Sequence, residues 1–265
     1  MMSNASGIES LSDESRLCVE RLVRAGNELE KLDLSDQPRE KLAAVLVLLY
    51  QKAGELRVVL TTRSKLLRAH PGQTSLPGGK VDESDPSLTY TALREAHEEV
   101  GLALDCPHIH TVCVLRPFLS SSQLLVTPVV ALLTDLDVLA TLRPCVGEVD
   151  QIFSHPLEAI LDPSLLADKE PLVPKGSEHW PYQQELYNTS DVIVEAFDNF
   201  VYRMHRFRSC ASPIKGLTAD ILIHVAEIAY DKKTAYEVCA PGQAGAALAL
   251  IRLRMAQYKG LVTSS

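Results

Sequence analysis

The chain has 265 residues, of which 46% are apolar and 23% charged. That is an ordinary make-up for a globular protein with enough length for a substantial core. Acidic residues outnumber basic ones 34 to 26, for a net charge of −8, which argues against a nucleic-acid surface and for positive charge concentrated locally if the ligand is an anion. No apolar run approaches the roughly 18 residues of a membrane span, and the six cysteines form no C-x-x-C pair, so buried free thiols in a reducing compartment are expected.

Taken in chain order, residues 1 to about 9 are small and polar and are expected to be mobile. Residues 12–32 space their leucines and Val23 as an amphipathic helix does, and 33–39 read as a turn around Asp36 and Pro38. The apolar run 43–50 predicts a buried strand. A short turn at 52–55 and a second strand at 56–62 complete a hairpin leading into Arg63. Residues 109–119 and 124–133 predict two more strands joined by Ser120, Ser121 and Ser122. Residues 146–157 suggest a short strand and turn. Residues 162–190 read as a long loop or flap carrying Trp180, Tyr182 and Tyr187, and 192–207 as strand. Residues 218–230 predict a helix with Thr218 as N-cap, burying Ile221, Leu222, Val225 and Ile228, and 244–255 a last helix. Strands and helices mix without βαβ alternation, which favours a mixed sheet covered by helices.

The stretch 78–101, GGKVDESDPSLTYTALREAHEEVG, carries the chemistry. Asp85 followed by Pro86 predicts a helix N-terminus, and Gly101 the left-handed residue after its last turn. At about 100° per residue, Ala92, Leu93, Ala96 and Val100 share a packing arc, while Glu95, Glu98 and Glu99 share a separate one. Carboxylates brought together repel unless a cation lies between them, and such oxygen ligands suit magnesium or manganese. A solvated acidic face and a plain glycine turn are the alternatives for either half of the motif alone.

The run Arg94-Glu95-Ala96-His97-Glu98-Glu99-Val100-Gly101-Leu102 resembles the second half of the Nudix box. The first half departs from it: five residues separate Gly79 from Asp85, which stands in place of Glu, and eight rather than seven separate Asp85 from Arg94. Upstream, Arg63-Ser64, Arg68, Gly72 and Pro77-Gly78-Gly79 resemble the extended motif of the coenzyme A diphosphatase branch, with Leu76 where Phe is commoner. The run 205–222 resembles a second segment of that branch, with Lys215 where many members have Trp. His205, Phe207, Gly216, Thr218 and Ala219 belong to it and are expected in core and capping roles. Two linked motifs are far more specific than either alone.

The resemblance implies an α/β/α sandwich with a mixed sheet and extra helices at both ends. The expected division is an N-terminal extension over 1–37, a core domain over 38–190, and C-terminal strand and helices over 191–265. It implies metal-dependent hydrolysis of the diphosphate of coenzyme A to 3′-phosphoadenosine 5′-phosphate and (acyl-)4′-phosphopantetheine. The alternatives are a Nudix diphosphatase acting on another nucleoside diphosphate derivative, such as an oxidised nucleoside triphosphate, and a non-catalytic nucleotide-binding module. Glu95, Glu98 and Glu99 are the expected ligands of Mg2+ or Mn2+, with the Gly79 carbonyl beside them. Glu95, Glu98 and Glu148 are the catalytic candidates. Arg63, Arg68, Gly78, Gly79 and Lys80 are the substrate-binding candidates, and Arg94, Asp85 and Gly101 the structural ones. His97 reads as surface or packing. The expected partner is a small molecule, without nucleic acid or a membrane span. A soluble intracellular protein is expected; the closing Val-Thr-Ser-Ser is not the peroxisomal tripeptide, and peroxisome, mitochondrion and cytoplasm all stay open, as does oligomeric state.

Overall fold

A computed structural model describes residues 9–28, 33–167, 170–195, 199–243, 251, 254, 255 and 257. The expectation for residues 1–8 and most of the helix expected over 244–255 lie outside the described residues.

The first helix, α1 (Asp13–Glu28), is followed by the hairpin of β1 (Leu42–Lys52) and β2 (Glu55–Arg63). Ala53 and Gly54 both take positive φ in its two-residue turn, the geometry that matches the twist of paired strands. Two short strands follow, β3 (Thr74–Ser75) and β4 (Gly78–Lys80), and then α2 (Leu88–Val100). Next come β5 (Ile109–Val114), β6 (Phe118–Leu119), β7 (Leu125–Leu133), the short α3 (Asp137–Thr141) and β8 (Val149–Pro156). A second hairpin, β9 (Tyr187–Val194) with β10 (Phe200–Phe207), leads through β11 (Ile214–Lys215) into α4 (Gly216–Tyr230).

The large sheet has the core order β3-β2-β1-β7-β5, with β4 on β1, β6 on β7 and β8 on β2. β1 and β7 run parallel through nine matched pairs, and the other pairings are antiparallel. β1 is apolar on both faces because both are covered. Ala44, Leu46, Leu48 and Tyr50 pack with Ala92, Ala96 and Val100 of α2. Ala43, Val47 and Leu49 join Leu22 of α1 and Leu222 and Val225 of α4 on the other face. The expected mixed-sheet α/β class and its helix–sheet–helix layering follow from these two packed faces.

Several elements differ from expectation. The strand expected over 109–119 breaks between β5 and β6, at residues 115–117. Proline cannot donate to a ladder, and Pro117 stands where pairing lapses. The strand expected over 192–207 is two antiparallel strands in register from Tyr187↔Phe207 to Val194↔Phe200. The flap therefore ends at Tyr187. Thr218 is not the cap of α4, which starts at Gly216. Its hydroxyl donates to the Thr74 carbonyl at 3.3 Å, tying α4 to β3. Of the six free cysteines, Cys18 and Cys113 are buried and the other four only partly so.

Candidate active site

The helix that bears the acidic residues is fixed at both ends. Its N-cap is Ser87, not Asp85: Ser87 has extended backbone and its hydroxyl accepts from Tyr90 N–H at 3.1 Å. Asp85 is instead a buried anchor. Its carboxylate accepts two hydrogen bonds from Arg94, from Nε and Nη2, each 2.9 Å, and one each from Thr91 Oγ1 and the Asp82 N–H, also 2.9 Å. A carboxyl so supplied with donors holds its negative charge easily. The Arg94 guanidinium, first among the causes, brings Asp85 down to about 2. At the other end Gly101 takes φ 71°, as expected. The N–H of Leu102 reaches back to Ala96 O and that of Gly101 to His97 O, closing the helix in a left-handed cap. His97 is exposed, with Nδ1 2.9 Å from Leu102 O, a local role as expected.

The glycine turn fits the helix by close approach. β4 pairs with β1 through Gly78↔Val45 and Gly79↔Ala44. A Cβ on Gly78 would lie 2.4 Å from the Ala44 carbonyl oxygen, and one on Gly79 would lie 2.5 Å from Glu95 Cδ. The Gly78 N–H donates to Glu99 Oε2 at 3.1 Å. Only glycine at both positions lets the turn lie directly against two carboxylates of the helix.

Arg63 and Glu148 arrive from the neighbouring strand ends. A bulge in the β2–β8 register pairs Arg63 with Val149, and Ser64 N–H donates to Glu148 O at 2.8 Å. The segment before β8 is tied to the end of α2 by Arg143 N–H to Val100 O and Cys145 N–H to Glu99 O, both 2.9 Å. Arg63 Nη1 stands 3.8 Å from Glu99 Oε1. Glu99 is 6% exposed. Burial pushes its carboxyl up to about 7, with Glu95 and Glu148 adding repulsion against the pull of Gly78 N–H and Arg63.

The expected single open face of three carboxylates is corrected. Arg94 stands among them, with Nη1 3.0 Å from Glu95 and 3.0 Å from Glu98. Glu98 is half exposed, and Glu99 lies inside rather than on the solvent side, because the Gly78–Gly79 turn covers it. Among the described residues, no three His, Cys, Asp or Glu side chains gather closely enough to hold a metal ion as they stand. Burial also raises Glu95, against the opposing charge of Arg94.

The structure thus brings Arg63, Gly78, Gly79, Glu95, Glu99 and Glu148 together. It does not bring in Lys80 or Arg68. Lys80 is exposed, and its carbonyl serves as an acceptor for Arg94 at 3.1 Å. Arg68 is exposed on the 64–73 loop, where His70 and Gly72 take positive φ and the N–H of Gly72 returns to Arg63 O at 3.0 Å. Sequence reasoning missed Thr91 and Arg39. Thr91 is fully buried on Asp85, and Arg39 donates to the carbonyls of Asp82 (2.8 Å) and Asp85 (2.6 Å), pinning the acidic loop from outside. Thr91 had a signal: it lies six residues after Asp85, three before Arg94, on the same side of the helix. Of the flap aromatics, Trp180 is fully buried with Nε1–H donating to Gln184 O, so it packs locally. His205 is buried between Tyr187 Oη and Val238 O, both 2.8 Å, beside fully buried Phe207 and Ala219.

The glycine turn thus lies on a carboxylate-bearing helix that packs across a mixed sheet. Residues 40–176 match the NUDIX domain, and the chain belongs to that family. It is 38% identical over 202 residues to Nudix hydrolase 15, mitochondrial, of Arabidopsis thaliana, covering 76% of this chain and 63% of that protein. It is 41% identical over 128 residues to the peroxisomal coenzyme A diphosphatase NUDT7 of Mus musculus (48% of this chain, 52% of the relative). Against the mitochondrial coenzyme A diphosphatase NUDT8 of Mus musculus it is 38% identical over 153 residues (57% and 68%). The chain spans between 52% and 68% of the length of these curated relatives. No helix among the described residues is long and apolar enough to cross a membrane.

Proposed function

We propose that this chain hydrolyses the diphosphate bond of coenzyme A and its derivatives, giving 3′-phosphoadenosine 5′-phosphate and (acyl-)4′-phosphopantetheine. The observation that carries the reading is the convergence of Glu95, Glu99 and Glu148 with Arg63 on the Gly78–Gly79 turn. Two relatives bearing the coenzyme A diphosphatase name support the substrate.

The donor set fits magnesium or manganese. Glu99 is a buried carboxylate held up at about 7 with two other carboxylates against it, a repulsion that a cation relieves. The Gly79 backbone lies so close to Glu95 that any Cβ would strike its carboxylate, which keeps the turn beside the ligand set. Glu95 and Glu99 would hold the ion, with Glu98 as third carboxylate. When bound, such an ion neutralises diphosphate oxygens and lowers the pKa of attached water.

The other roles belong to the chain's own groups. Arg94, braced by Asp85, fixes the rotamers of Glu95 and Glu98. Arg63 faces the site with a guanidinium suited to phosphate oxygens. Exposed Glu148, held beside Arg63 by the β2–β8 pairing, takes the proton from the attacking water. Arg68, exposed on the adjoining loop and outside this cluster, would reach only an outer phosphate of the substrate. The acyl thioester stays intact, since no nucleophile with an oxyanion hole stands in this arrangement. The division into an extension over 1–37, a core over 38–190 and a C-terminal part over 191–265 belongs to this proposal, with β9 (Tyr187–Val194) crossing the second boundary.

The test is product analysis after incubation of the chain with coenzyme A and Mg2+, in oxygen-18 water with mass spectrometry. Both phosphomonoesters are expected. Cleavage of other nucleotides with coenzyme A untouched would transfer the assignment to another nucleoside diphosphate derivative. Release of carboxylic acid from acetyl-coenzyme A with the diphosphate intact would overturn it.

A further inference from the structure

A cleft of about 460 Å³ opens beside the first turn of α2. Its walls are the 33–39 connector, the bend between β5 and β6, Thr127 of β7, and residues 85–88. Two of its polar side chains lack the partners that buried groups normally have. Gln37 is 4% exposed, and neither its amide nitrogen nor its amide oxygen has a hydrogen-bond partner; Thr127 is 2% exposed, and its hydroxyl has none either. Burying such groups unpaired costs stability, and each one in a native fold calls for a reason.

The third polar group is Arg116. It is half-buried on the cleft wall, 5.3 Å from the Phe118 ring centroid, and burial pulls its pKa down. Among the described residues no carboxylate forms an ion pair with it. Asp85 also lines the cleft, but Arg94, Thr91 and the Asp82 N–H already occupy its oxygens. Leu34, Leu42, Val81 and Leu88 supply apolar surface, the first three also packing with Ile251 and Met255. Arg39, Ser87, Asp33 and Ser35 also line the cleft, but Arg39 is committed to the Asp82 and Asp85 carbonyls, Ser87 caps α2, and Asp33 accepts from the Ser35 N–H. An unpartnered donor–acceptor amide, an unpartnered hydroxyl and a guanidinium without an ion pair among the described residues, set in a cleft of this size, describe a small-molecule site.

We propose that this cleft binds an adenine nucleotide, its base against Gln37 and Thr127 and its phosphate against Arg116. A glutamine amide presents one donor and one acceptor, matching the acceptor N7 and donor N6 of adenine; guanine offers two acceptors on that edge and leaves Gln37 Oε1 facing an oxygen. The cleft is separated from Glu95 and Glu98 by the Asp85–Arg94 ion pair, and the inference does not require that the diphosphate be the substrate bond.

The test is calorimetric titration of the full chain in EDTA with AMP, GMP and ribose 5-phosphate. The variants are Gln37→Leu, Thr127→Val and Arg116→Met, with Glu99→Gln as control for binding at the glutamates. AMP is expected to bind the wild type at least tenfold more tightly than GMP or ribose 5-phosphate. Gln37→Leu and Thr127→Val should each weaken AMP at least tenfold while melting no lower than wild type, since each replaces an unpaired buried polar group with an apolar one. Arg116→Met should weaken AMP and ribose 5-phosphate alike, and Glu99→Gln should leave AMP unchanged. If Gln37→Leu lowers the melting temperature, the near-isosteric Thr127→Val decides. AMP affinity that survives both changes, or that falls in Glu99→Gln, overturns the site. So does equal binding of ribose 5-phosphate, or no AMP binding by the wild type.

Discussion

Asp85→Asn isolates the anchor of α2. The substitution keeps the shape of the side chain and removes its charge, which sits fully buried with two Arg94 bonds, Thr91 Oγ1 and the Asp82 N–H around it. The carboxyl drops from 3.8 to about 2 on folding. At about 1.4 kcal/mol per unit this corresponds to about 2.5 kcal/mol of stability at neutral pH. The folded pKa is depressed, so the contribution is complete above the unfolded value of 3.8 and fades as pH falls through about 2. Linkage puts it near half at about pH 3. Urea denaturation of wild type and Asp85→Asn from pH 7 to pH 3 measures this directly. The difference in unfolding free energy should be about 2–3 kcal/mol and flat between pH 5 and 7, then shrink toward pH 3. Turnover should fall as well, because Arg94 loses the partner that orients it toward Glu95 and Glu98. A difference under about 0.5 kcal/mol at pH 7, the range of an ordinary surface substitution, would refute the anchor. A difference just as large at pH 3 would remove the charge as its cause.

Glu99→Gln should cut diphosphate turnover at least about a hundredfold, about 2.7 kcal/mol of barrier, with an unchanged or higher melting temperature, because a buried carboxylate becomes a neutral amide of the same shape; near wild-type rates at saturating Mg2+ would exclude Glu99 as a ligand. Gly79→Ala places a methyl group 2.5 Å from Glu95 Cδ and should lower activity far more than stability, whereas Gly78→Ala meets the Ala44 and Val45 backbone and should destabilise by about 1–3 kcal/mol; parallel melting and rate measurements separate the two. His155 is buried, with its pKa pushed down to about 3 by burial and then by Arg57. The unfolded chain therefore takes up a proton that the folded one refuses, and wild type should lose stability as pH falls below about 6.5. His155→Gln should flatten that slope between pH 6.5 and 4, and an unaltered slope counts against the assignment. Arg68→Ala should penalise coenzyme A about ten- to a hundredfold more than dephospho-coenzyme A if it holds the 3′-phosphate, at about 1.5–3 kcal/mol for a charged hydrogen bond. Comparing kcat/KM for the two substrates decides, and equal losses would place Arg68 elsewhere.

The box helix and the first hairpin were legible from local pattern alone. Helical periodicity put Ala92, Ala96 and Val100 on one face, and the left-handed cap required a glycine at 101. The continuous apolar run of β1 announced a strand buried on both sides. Periodicity could not say that Glu99 is buried, because what covers it is the Gly78–Gly79 turn, brought there by pairing of β4 with β1. Nor could it distinguish Asp85 from a helix cap: Asp-Pro before a helix fits that role, and only the packed fold shows Arg94 and Thr91 converging on the carboxylate. The β9–β10 hairpin was read as one strand because its turn carries no strong glycine or proline signal. The approach of Arg63 and Glu148 to Glu99 joins residues up to 85 positions apart through the β2–β8 ladder. Local sequence carries propensities and faces; which faces meet is decided by sheet register, a property of the whole chain.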